Sequence, residues 1–94
     1  MATEISVNLA IVDARPPLRA LADVTIRWPE NSLTIRRCAV FKKDGQPSWA
    51  SLPRLPIEKN GKKIYAPLIE VSRDLKLRVL EAVLAEYQKV KNEH

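Results

Sequence analysis

Ninety-four residues, 46% hydrophobic and 29% charged, describe one small domain with surface enough to bury a single core. Sixteen Lys and Arg against eleven Asp and Glu leave a formal charge of +5, with a sequence pI of about 9.7. No run approaches the roughly 20 apolar residues of a membrane span, and the single cysteine, Cys38, excludes an intramolecular disulfide.

Ile5, Val7, Leu9 and Ile11 alternate with polar or small residues, the pattern of a half-buried strand. Asp13-Ala-Arg-Pro-Pro17 breaks it, because two prolines remove two ladder donors. Ala20 to Trp28 alternates again, with Ala22, Val24, Ile26 and Trp28 on one face. Pro29 to Ser32 reads as a turn. Leu33 to Phe41 is a third strand whose parity changes midway, so a bulge near Arg36-Arg37 is expected to restore the buried face. Lys43-Asp-Gly45 is a hairpin signal leading to a short strand over Ser48–Leu52. Pro53-Arg-Leu-Pro56 reads as an irregular connection whose prolines suggest an edge. Asn60-Gly61 is a second hairpin signal, joining Ile57–Lys59 to Lys62–Tyr65, and Pro67 ends that strand.

From Arg73 to about Lys91 neither Gly nor Pro intervenes. Leu75, Val79, Leu80, Val83, Leu84, Tyr87 and Val90 form one stripe at helical spacing, with Ser72 as N-cap and Asp74 suiting the helix dipole. The expected fold is α+β: one domain over residues 1–94, an antiparallel, meander-like sheet of about five strands, then one long amphipathic C-terminal helix that covers one sheet face. Trp28 and Phe41 are expected in the core. Lys76 falls near the middle of the apolar arc, so either its stem packs while its amine escapes, or that end of the helix is not buried. Arg78, Ala82, Ala85 and Lys89 share the opposite face, which reads as a solvated surface or a place of close approach for a partner.

The charge is uneven. Residues 1–35 carry a net −1, residues 36–63 a net +6, residues 64–71 a net −1 and the tail from Ser72 a net +1. The middle third therefore holds more than the whole excess, the electrostatic footprint of a polyanion binder. Trp49 and Tyr65 lie within or beside that third, where aromatics among cations can stack the bases of a single strand or simply fill a core.

Catalytic chemistry is not indicated. The lone histidine, His94, is the last residue given, and the only glycines, Gly45 and Gly61, make no phosphate-cradling loop. The carboxylates are scattered, and Cys38 sits in an apolar strand as a small buried filler. The expectation is a binding protein and not an enzyme, without cofactor or metal. The N-terminus lacks the basic and apolar regions of a signal peptide, so a cytoplasmic location is the default.

Leu18-Arg-Ala-Leu-Ala-Asp-Val-Thr-Ile26, Leu33-Thr-Ile-Arg36, Trp49-Ala-Ser-Leu-Pro53, Asn60-Gly-Lys-Lys-Ile-Tyr-Ala-Pro67 and Glu81-Ala-Val-Leu-Ala-Glu-Tyr87 together resemble the stage V sporulation protein G (SpoVG) family, over about residues 5–90. The resemblance implies a small homodimeric α+β regulator that binds DNA and RNA, in a family named for effects on sporulation and septation. It also implies nucleic-acid contact at the start of the C-terminal helix and the loop before it, here Arg54, Arg73, Lys76 and Arg78. The helix start, Ser72-Arg-Asp-Leu-Lys-Leu-Arg78, departs from the family's Gly-containing pattern, so no sequence preference is carried over.

The leading expectation is therefore a homodimer holding nucleic acid through phosphate contacts from Arg54, Lys59, Lys62, Lys63, Arg73, Lys76 and Arg78. The alternative is a protein–protein interaction module that does not bind nucleic acid.

Overall fold

The computed structural model describes residues 3–12 and 17–92. The fold is α+β. Strands β1 (Glu4–Ile11), β2 (Leu18–Arg27), β3 (Ser32–Phe41) and β4 (Trp49–Ser51) form an antiparallel sheet in chain order. Strands β5 (Arg54–Lys59) and β6 (Lys62–Pro67) form a separate antiparallel pair, and helix α1 (Arg73–Asn92) follows.

The alternation read in the sequence sets the register. Ile5 opposes Ile26, Val7 opposes Val24 and Leu9 opposes Ala22, so one face of β1 and β2 is apolar throughout. On β3 that face is carried by Ile35, then by Cys38 and Val40. The change of parity is a bulge at the expected place: Ala22 pairs with Cys38 and Val24 with Ile35, leaving Arg36 and Arg37 opposite Asp23 alone.

Helix α1 lies across this face and touches all four strands of the sheet. Val79 and Val83 are fully buried and Tyr87 nearly so, against Ala20, Val24, Ile26, Ile35 and Val40. Leu75, Leu80 and Leu84 pack at the margin. Burying each valine or isoleucine contributes about 1.5–3 kcal/mol. Ser72 caps the helix, its Oγ accepting from the Leu75 N–H at 3.3 Å.

Three details differ from the sequence reading. There are six strands in two sheets, because Arg54–Pro56 belongs to β5 instead of an irregular connection. In a two-stranded ribbon both strands are edges, where the missing N–H of Pro56 is tolerated. Trp28 is exposed, since the alternation outruns β2 and Trp28 closes the turn: its N–H donates to the Asn31 carbonyl at 2.8 Å. Phe41 is half-buried on the face away from the helix. The break at Asp13–Pro16 and the position of His94 lie outside the described residues; Pro17 accepts from the Lys42 N–H at 2.9 Å.

The β5–β6 ribbon is an arm. It makes no contact with β1–β4 or α1 at the level of whole elements, and its base is tied by the Leu68 N–H to the Pro53 carbonyl at 3.2 Å. The molecule measures 46 × 37 × 19 Å, with a radius of gyration of 14.4 Å against about 12.4 Å for a compact chain of this length.

Candidate nucleic-acid interface

The arm begins from local chemistry. Asn60 and Gly61 take φ of 55° and 74°, the left-handed pair that a two-residue hairpin turn requires. The turn sets Lys59 directly across from Lys62 and Glu58 across from Lys63. Lysines directly opposite repel one another, and an anion between them removes that cost. Residues opposite each other share a face, so Leu55, Ala66, Ile57 and Ile64 line one side of the arm, ending in Lys59 and Lys62. Arg54, Pro56, Tyr65 and Lys63 lie on the other.

Arg54, Lys59, Lys62, Lys63, Arg73, Lys76 and Arg78 are all exposed. The only ion pair among the described residues, Arg36 with Asp23 at 3.0 Å, involves none of them. They do not form one cluster. Lys59, Lys62 and Lys63 sit at the arm's tip, about 17 Å along β5 from Arg54 at its base. Arg54 and Lys76 border a common cavity of about 380 Å³, together with Glu70 and the apolar Leu52 and Leu80. Arg73 lies about 60° from Lys76 around the helix axis.

Arg78 lies about 200° from Lys76, on another side of the helix. Its Nη2 donates to the Thr3 carbonyl at 3.3 Å, beside the start of β1. The two readings of Lys76 are resolved by the helix start: Arg73, Asp74, Lys76, Leu77 and Arg78 are all exposed, so that end is not buried. On the opposite face Arg78, Ala85 and Lys89 are exposed and Ala82 is half-buried.

A second groove, of about 630 Å³, opens on the sheet face away from the helix. Its aromatic wall is Phe41 and Trp49, cross-strand partners whose rings stack at 5.5 Å with 26° between their planes. Tyr65 reaches it from the arm, and Arg37, Lys43 and Arg54 border it. Arg37 and Lys43 belong to the basic third but are not among the seven cations expected to contact phosphate. The parity change at Arg36-Arg37 was the available signal, because the bulge puts Arg37 on the same side as Ala39 and Phe41.

Cys38 is fully buried, and its thiol is pushed up to about 11, first by burial and then by the nearby Asp23 carboxylate. It is a core side chain and not an activated nucleophile. Among the described residues no group of three or more His, Cys, Asp and Glu could hold a metal ion. No helix there is long and apolar enough to cross a membrane. Comparison with protein-family models, with curated proteins and with solved structures finds no match for this chain.

Proposed function

We propose that this chain is a homodimeric, cytoplasmic regulator of the SpoVG type, which binds DNA or RNA through phosphate contacts from the arm and the helix start and catalyses no reaction. Regulation of septation or sporulation is the process that the resemblance points to. The observation that carries the binding reading is the set of seven exposed cations, none in an ion pair among the described residues, displayed on a projecting arm and an uncovered helix end. Cations so exposed are available to displace the counterions condensed on a polyphosphate. Flexible side chains on an arm tip and a helix end position a backbone better than they read bases.

The dimer is supported by surface area. The chain exposes 7151 Å², whereas a compact monomer of 10.7 kDa exposes about 5,500 Å². The excess of about 1,600 Å² is larger than the roughly 800 Å² that one partner buries in a standard interface. Part of the exposed surface is apolar: Leu55, Ile57 and Ile64 are exposed on one side of the arm. An isolated ribbon is marginal in water, and a second copy covering this side stabilises it. The same apolar side also favours a second reading, a module that engages a different protein and no nucleic acid.

Binding of labelled DNA and RNA across a salt series tests the proposal. A log K that falls with log[salt] supports phosphate contacts; a flat line rejects them.

A further inference from the structure

The arm and the sheet together frame a surface that phosphate contacts alone do not use. The face of the sheet away from the helix is divided along the strands. At one end it is polar, with Ser6, Thr25 and Thr34 in one cross-strand row beside Asn8, and the two threonine hydroxyls lie 3.0 Å apart. Toward β4 it becomes apolar and aromatic, with Leu21 and Ala39 leading to the stacked Phe41 and Trp49. Trp49 is 39% exposed and Tyr65 61% exposed, so both offer ring surface to a ligand.

The charge around this groove is of one sign. Arg37, Lys43 and Arg54 border it, and no Asp or Glu does among the described residues. Asp23, on the same sheet face, is engaged by the Arg36 guanidinium and the Arg37 N–H. Arg54 borders both this groove and the cavity that contains Lys76. Cations therefore run from Arg37 and Lys43 past β4 to Arg54, and Lys76 at the helix start lies across a cavity that Glu70 also borders.

Aromatic ring faces beside a track of cations suit an extended polyanion whose bases are free to stack. A duplex keeps its bases paired and cannot use the rings. A basic arm from a second copy is disfavoured in a groove bordered only by cations.

We propose that this groove is a single-strand-specific site, in which bases of single-stranded DNA or RNA stack on Trp49 and Tyr65 while Arg37, Lys43 and Arg54 hold the phosphates. The site rests on the nucleic-acid reading above and adds a ligand class to it. The outward side of the arm, with Leu55, Ile57 and Ile64, remains available for the dimer, since Tyr65 lies on the opposite side.

The test uses the full chain in a Trp28→Phe background, which leaves Trp49 as the only tryptophan. Emission is followed during titration with oligo-dT, oligo-U and a mixed-sequence duplex of equal length, and affinity is measured in parallel by anisotropy. The single strands should quench Trp49 and the duplex should not. Tyr65→Ala and Trp49→Ala should each weaken single-strand binding at least about fivefold, with duplex affinity unchanged within about twofold. Trp49→Phe, which keeps a ring face and guards against a folding defect, should retain most of the affinity.

Single-strand binding with neither quenching nor any loss in the aromatic variants would overturn the groove while leaving the phosphate-contact reading in place. No binding of strand or duplex at any salt would remove both. A dimer that dissociates in Tyr65→Ala, read by light scattering, would make the groove a subunit contact and overturn the proposal.

Discussion

The backbone N–H of Arg37 donates to the Asp23 carboxylate at 3.3 Å, and Arg37 itself takes a φ of 65°. The other carboxylate oxygen accepts from the Arg36 guanidinium at 3.0 Å. One acidic side chain thus satisfies the two residues that the β3 bulge leaves unpaired, and the bulge returns Cys38 and Val40 to the core. Asp23→Ala is expected to lower stability by about 1–2 kcal/mol, measured as a shift in the urea midpoint. Arg36→Ala should cost less than about 1 kcal/mol, because its ion pair is largely in water. Equal losses from the two substitutions would show that the ion pair, and not the backbone hydrogen bond, holds the bulge.

That bulge was legible in the sequence because a period-two pattern cannot change phase within a strand without an extra residue. Leu33 and Ile35 hold one phase, Cys38 and Val40 the other. The Asn60-Gly61 turn and the Ser72 cap were legible for similar local reasons. The hairpin itself was legible too, but not its extension back to Arg54 or its separation from the main sheet, because Pro53 and Pro56 argue against a strand unless both of its sides are known to be edges. Trp28 misled because alternation continued one step past the point where β2 turns. The stacked Phe41 and Trp49 were hidden because they meet through register between β3 and β4, which composition does not encode. Of the seven candidate cations, local sequence could name them but could not show that Lys59, Lys62 and Lys63 stand apart from Arg54 and Lys76.

Cys38 gives a prediction in alkaline solution. Folding favours its neutral thiol, so that contribution to stability is complete below the ordinary value of 9.0 and is lost as pH rises through about 11. Denaturant midpoints of the wild type should therefore fall more steeply between pH 9 and 11 than those of Cys38→Ala. In the native state the thiol should react with a thiol reagent only as fast as the protein opens. Immediate stoichiometric labelling at pH 8 would contradict its burial.

Ser72→Ala removes the acceptor at the helix start and should cost about 1 kcal/mol, while Ser72→Asp should restore most of it. Thermal unfolding followed by circular dichroism checks both. An unchanged midpoint in Ser72→Ala would mean that the cap contributes nothing to this helix end.

The dimer has its own test. Light scattering at micromolar concentration should give twice 10.7 kDa for the wild type. Ile57→Lys with Ile64→Lys, which charges the apolar side of the arm, should give a single chain with an unchanged circular dichroism spectrum. A wild-type mass of one chain would reject the dimer, and a dimer that survives the double substitution would place its interface elsewhere.

The central claim is that exposed cations on the arm and helix start hold nucleic acid. The most direct measurement is anisotropy of labelled single- and double-stranded DNA and RNA of mixed sequence at low and moderate salt, for the wild type and for a variant with Arg73, Lys76 and Arg78 all changed to Glu. The account predicts salt-sensitive binding by the wild type and loss of duplex binding in the variant, with the fold intact. Duplex binding retained by the variant would move that contact to Lys59, Lys62 and Lys63. Absence of binding at every salt concentration would contradict the account and leave the charge of +5 as solvation alone.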